Sequence, residues 1–248
     1  MPLVLFRRRA PSVPERVEVL HEGESFDVRL RPRADVRRFT LRVSMATGEA
    51  VLTIPERSDM VAVRRFLDGH AGWIAQRMQR VPSRILFEAG EAVPLRGEPH
   101  RIVHWSGVRG SVRAAQDAAG GPIIAVTGEA PHVPRRVRDF LQREARRDLS
   151  DAVARHTASL GVPARSITLR DTRSRWGSCS AQGRLNFSWR LILAPPLVLD
   201  YLAAHEVAHL AELNHSDRFW RLAYRLCPAT DQAEAWLKRH GSSLHRYG

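Results

Sequence analysis

Apolar and polar residues alternate along Val17-Glu18-Val19-Leu20, Phe26-Asp27-Val28-Arg29-Leu30, Phe39-Thr40-Leu41-Arg42-Val43 and Ala50-Val51-Leu52-Thr53-Ile54. That period of two puts one face of each strand on a core and the other in water. Glu22-Gly23 and Thr47-Gly48 fall where turns are needed, so an antiparallel meander is predicted. From Ser58 or Asp59, either of which can cap a helix, the period lengthens through about Met78. Val61, Phe66, Trp73, Ile74 and Met78 are the expected core contacts of that helix. Further short strands are predicted at residues 92–95, 100–105, 108–114 and 123–126.

Composition shifts near Pro131, and residues 133–160 read as one long helix stopped by Gly161 and Pro163. Two strands, 166–171 and 184–193, then precede a helix over 197–213 that Pro195-Pro196 introduce. Leu199, Leu202, Ala203, Leu210 and Leu213 offer it an apolar surface for packing. Asn214-His215-Ser216 forms the next turn, with Asn214 suited to left-handed angles and Ser216 to capping a helix over 217–226. The pattern is that of an α+β protein, with a β-rich region carrying one helix over residues 1–130 and a second domain over 131–248. No internal repeat is evident in the sequence.

Composition narrows the class. With 248 residues, 44% hydrophobic and 26% charged, the chain can bury a substantial core and is expected to be soluble. A net charge of +13, mostly from arginine, favours anionic partners such as nucleic acid, phosphates or acidic proteins. An arginine-rich composition without such a partner gives the same excess. On the long helix Arg135, Arg136, Arg138, Arg143, Arg146 and Arg147 are interspersed with Asp139, Glu144 and Asp148, the pattern of a solvated face. Cys179 and Cys227 are the only cysteines, which excludes a disulfide framework or a four-cysteine zinc site and fits a reducing cytosol. The first fourteen residues read as a loose tail, in which an apolar start precedes Arg7-Arg8-Arg9, the reverse of a secretory signal. No apolar run is long enough for a bilayer, so no membrane association is expected.

The chemistry concentrates in His205-Glu206-Val207-Ala208-His209, an HExxH arrangement. On a helix the two histidines share a face one turn apart and can hold one zinc ion, with Glu206 placed to take a proton from water. A third ligand has to come from beyond the helix; His215 is the leading candidate and Glu212, one turn past His209, the alternative. Residues 185–191 are the expected strand beside which an extended substrate would lie. Arg173, Arg175, Asn214, Tyr224 and His240 are candidate donors to an oxyanion, each with a structural role as an alternative. Trp176 and Cys179 read as a packed turn residue and a buried thiol, and Cys227 as a helix-end packing residue.

The run Arg170-Asp171-Thr172-Arg173-Ser174-Arg175-Trp176-Gly177-Ser178-Cys179-Ser180, then Leu185-Asn186-Phe187-Ser188-Trp189-Arg190-Leu191, the HExxH helix and Asn214-His215-Ser216-Asp217-Arg218-Phe219-Trp220 together resemble the YgjP-like metallopeptidases, which are grouped with SprT-like zinc proteases. The resemblance extends over nearly the whole chain. It implies a zincin-like catalytic domain, zinc ligands His205, His209 and His215, the catalytic base Glu206, and a peptide or protein substrate. Two other classes compete with a zinc-dependent peptidase: a metal-dependent nucleotide phosphohydrolase, and a basic nucleic-acid-associated zinc module without catalysis.

Overall fold

The computed structural model describes residues 13–45, 47–81, 83–107, 110–172 and 174–248. The expected N-terminal tail therefore lies almost wholly outside the described residues, as do Arg173 and the start of the strand expected at Val108. The chain forms two compact units, one up to Pro82 and one from Ser83.

In the first unit β1 (Arg16–His21), β2 (Glu24–Arg33), β3 (Thr40–Val43) and β4 (Ala50–Pro55) form one sheet, followed by α1 (Met60–Gly69) and α2 (Ala71–Gln79). The strand order is β1-β2-β4-β3, with β2 and β4 parallel, so the sheet is not the expected meander. Alternation specifies which side chains share a face but not which strands are neighbours. The connection from Arg33 to Thr40 is long enough to leave a gap one strand wide, which β4 fills. Val17, Val19, Val28, Leu30, Leu52 and Ile54 face inward against Val63, Leu67 and Ile74. Asp59 caps α1 through Val61 N, but the single helix expected through Met78 breaks at His70, whose Nδ1 lies 2.7 Å from Phe66 O. Val61 and Trp73 are 63% and 37% exposed rather than core contacts.

The second unit contains a sheet of β5 (Ala92–Leu95), β6 (Glu98–Trp105), β7 (Arg113–Gln116) and β8 (Pro122–Thr127), the 28-residue helix α3 (Val133–Leu160), and a smaller sheet of β9 (Ser166–Arg170), β10 (Gly177–Cys179) and β11 (Arg184–Ser188). A 3-10 turn over Trp189–Leu193 replaces the second half of the strand expected through 193 and leads into α4 (Pro196–Ala208), α5 (Asp217–Leu226) and α6 (Thr230–His240). Val137, Phe140, Leu141, Leu149 and Val153 form the buried stripe of α3 and join Val126 on β8, Leu191 and Val207 in one core. The expected boundary near residue 130 thus falls inside the second unit, because β8 and α3 share this core.

Two anchors fix where α4 begins. The turn Arg96-Gly97 has positive φ at both residues, 55° and 82°. A Cβ at position 97 would meet Pro195 at 3.1 Å, so any other residue would crowd the entrance of α4 as well as strain the left-handed backbone that glycine adopts freely. Arg96 donates to Asp148 at 2.7 and 2.8 Å and to Glu144 at 2.8 Å, tying the same turn to α3. Further along α4, Asp200 accepts from Arg155 at 2.9 Å and lies 3.0 Å from Nε2 of the buried His156.

Candidate metal centre

Most of α4 is buried, including Leu202, Ala203, Ala204, Val207 and Ala208, which makes it an apolar mount for the groups it presents. The helix ends at Ala208 rather than near 213, with His209 as its C-cap. The chain then turns over Glu212 and Asn214 to bring His215 back, and Leu213 is left 60% exposed. Asn214 does not take the left-handed angles expected of it. Ser216 does cap α5, accepting from Phe219 N at 3.4 Å.

This turn gathers His205, His209 and His215 so that one ligand nitrogen from each lies within 4.8 Å of the others. His205 Nε2 and His215 Nε2 are 3.1 Å apart. Two imidazole lone pairs at that distance repel unless a proton or a cation lies between them. Nδ1 of His209 is 2.9 Å from the Glu212 carbonyl and donates to it in the tautomer that leaves Nε2 as the ligand atom. Nδ1 of His205 lies 3.5 Å from the Tyr201 hydroxyl. Burial, reinforced by the neighbouring imidazoles, lowers His205 to about 4, and burial also lowers His209, so both are neutral donors at pH 7. Beneath them the fully buried Phe219 stacks on His209 at 4.4 Å and sits 4.9 and 4.7 Å from His205 and His215.

Glu206, next to His205 on the helix, is 4% exposed, and its Oε2 is buried without a hydrogen-bond partner among the described residues. Burial pushes its carboxyl up to about 7, against the pull of the Arg175 charge. The backbone of β10 lies directly over it: a Cβ at Gly177 would fall 2.4 Å from Glu206 Oε1. Three converging imidazoles and a buried carboxylate oxygen without a partner among the described residues fit a divalent cation and its water.

Glu212, the alternative third ligand, directs its carboxylate to Arg218 Nε at 3.1 Å and contributes its backbone carbonyl to His209 instead. The strand expected to receive substrate, 185–191, is not an edge: β11 lies between β10 and β9, so both its sides are already paired. The edge beside Glu206 is β10. Among the candidate oxyanion donors, Arg175 acts on Glu206 through its charge, whereas Tyr224 donates to Asp231 at 2.5 Å and His240 packs on Trp236 at 5.1 Å. Trp176 is a packed turn residue, stacked on His245 at 4.9 Å and pressed to Gly241. Burial and the Glu206 carboxylate push the Cys179 thiol up, so it is not a ready thiolate, and Cys227 is buried at the end of α5.

Sequence reasoning gave no role to Tyr201, and met Gly177 and Phe219 only inside the motif runs, without their part in the site. A glycine inside a short strand is itself a signal of close backbone approach, and Phe219 follows the Ser216 cap at the first inward position of α5. Arg190 was legible only as part of a motif. Buried, it donates to Asp171 at 2.7 and 3.2 Å and to the carbonyls of Leu244 and Tyr247 at 3.2 and 2.5 Å, holding the C-terminal turn against the segment that leads to β10.

A helix-borne histidine pair, a third histidine from the following turn and a buried glutamate are features of metal-dependent hydrolases. The chain belongs to the YgjP-like metallopeptidase family: the model of the YgjP-like metallopeptidase domain matches residues 37–240. Membership implies a bound metal ion. Among solved structures, the chain is similar to the metallopeptidase zymogen abylysin of Pyrococcus abyssi, at 21% identity and a TM-score of 0.35 over 40% of this chain and 97% of that one. No curated protein matches the chain. Among the described residues, no helix is long and apolar enough to cross a membrane.

Proposed function

We propose that the chain is a zinc-dependent peptidase in which His205, His209 and His215 hold the metal and Glu206 is the general base. The observation that carries this reading is the convergence of three imidazole nitrogens within 4.8 Å at the end of the helix that also carries a carboxylate whose buried Oε2 lacks a partner among the described residues. When bound, zinc supplies a Lewis acid and lowers the pKa of water towards about 7. Three protein ligands leave a position for that water, unlike the closed four-ligand set of a structural site.

Glu206 accepts the proton of the attacking water and delivers it to the nitrogen of the departing amine. A carboxyl held at about 7 is suited to both transfers near neutral pH. The free edge of β10 offers backbone N–H and C=O groups to an extended peptide, which would lie close to Glu206 because Gly177 does. Arg175 brings positive charge to the same region and is the preferred candidate for stabilising developing negative charge.

The test is to offer zinc-loaded protein a peptide library and a nucleotide panel in parallel. Peptide cleavage that a chelator abolishes and zinc restores is expected. Turnover confined to nucleotides would overturn the peptidase assignment in favour of a phosphohydrolase.

A further inference from the structure

The first unit carries a charge concentration that the metal centre does not use. Residues 29–42 contain six arginines and a single carboxylate, Asp35, a far steeper excess than the 39 basic to 26 acidic residues of the whole chain. Register places much of this charge on one face of the sheet. Arg29 pairs across to Val51 and Val51 to Arg42; Arg31 pairs to Thr53 and Thr53 to Thr40. Leu30 and Leu52 point to the core between these positions, so the arginines share the solvent face with Val51 and Thr53.

The result is a groove of about 600 Å³ with Val51 and Thr53 of β4 on its floor, Arg31 and Arg33 of β2 on one wall and Arg42 of β3 on the other, while Arg29 lies outside its lining. The walls are two strand spacings apart, about 10 Å between backbones. Along β2, Arg29, Arg31 and Arg33 recur every second residue, a step of about 6.8 Å. Asp35 and Glu49 also line the groove and offset part of its charge, which leaves Arg31 and Arg42 as the lining arginines without a close carboxylate among the described residues. Arg33 is held by Asp35 at 2.8 and 2.7 Å, and Arg29 lies 3.8 and 3.6 Å from Glu15 and Glu49. Arg31 acts on Asp35 only through its charge, Arg42 has no carboxylate partner among the described residues, and Arg37 and Arg38 are exposed on the adjoining loop.

We propose that this sheet face binds the phosphate backbone of a single-stranded nucleic acid. Guanidinium forks match phosphate oxygens, and the step along β2 is close to that between phosphates of an extended strand. An acidic peptide fits less well, because alternate side chains of an extended peptide point away from the groove while every phosphate lies on its backbone. A duplex is wider than the space between the walls. Phe39 packs edge-on against Phe66 at 5.3 Å, and among the described residues no aromatic ring lines the groove, so bases are not stacked and binding is independent of sequence and steeply dependent on salt.

The experiment is fluorescence anisotropy of a labelled oligothymidylate with the full-length protein over a series of salt concentrations. Each lost phosphate contact removes about 0.7 from the slope of log K against log salt, so Arg31→Ala with Arg42→Ala should reduce it by about 1.4 and weaken low-salt binding by on the order of tenfold. Arg31→Lys with Arg42→Lys should retain most of the slope. Arg138→Ala with Arg146→Ala makes the same charge change on the exposed face of α3 and should alter affinity by no more than about twofold. Thermal unfolding of each variant checks that the sheet is intact. Absence of binding, equal losses in the two alanine pairs, or an unchanged slope overturns the proposal. Equal or tighter binding of polyglutamate, lost in the same variant, would assign the groove to an acidic polypeptide instead.

Discussion

Gly177 decides where the Glu206 carboxylate can lie. A methyl group there would sit 2.7 Å from Glu206 Cγ as well as 2.4 Å from Oε1, so Gly177→Ala has to displace the side chain and not only its tip. Metal content should be unchanged while turnover falls by roughly 10²-fold, the usual cost of about an ångström of misplacement. Normal turnover would show that the carboxylate's position is not critical. The third ligand gives a second test at this scale. His215→Ala should weaken metal binding, measured by chelator competition, by more than about 100-fold, and Glu212→Ala by less than about tenfold because the backbone carbonyl that holds His209 remains. The reverse order would make Glu212 the ligand. His205 and His209 were legible from spacing alone, since one helical turn dictates a shared face, and Glu206 from its place between them in the motif. Gly177 was not, because its partner is 29 positions away on an element whose packing a local pattern does not encode.

At the scale of elements, α4 has to be held against α3 for the site to keep its shape. The hydrogen bond with His156, opposed by burial and aided by Arg155, holds the Asp200 carboxyl below its ordinary value. A depressed carboxylate contributes stability that is present above its unfolded pKa of about 3.9 and is lost as pH falls through the lower folded value. Asp200→Asn should therefore destabilise the protein by about 1 kcal/mol at neutral pH, after allowance for its partial exposure, and the gap should close below about pH 4. Thermal melts across that range check it; a gap constant with pH would mean that the charge is not what matters. The bounds of α3 and α5 were readable from glycine, proline and serine at their ends. The edge strand was not: β10 spans only Gly177–Cys179, too short to alternate visibly, and the longer β11 drew the expectation instead.

For the whole molecule, the sequence pointed to an α+β chain with a metal helix but not to how its strands are ordered. The two four-stranded sheets have the same order, a hairpin followed by a crossing that leaves the middle pair parallel, β1-β2-β4-β3 and β5-β6-β8-β7. Nothing in the residues repeats to announce it, because strand order depends on connection length and shared cores rather than on identity. The boundary was misplaced for the same reason: the shift in composition at Pro131 marks the start of a helix, not the end of a core. The central claim is that Glu206 moves the proton during peptide hydrolysis. Glu206→Gln keeps the shape of the side chain and removes the acceptor, so hydrolysis of a cleaved peptide should fall by about 10²–10⁴-fold with metal content and melting temperature unchanged on the same preparations. Near-normal hydrolysis at normal metal content would contradict it, even with the three histidines holding the ion.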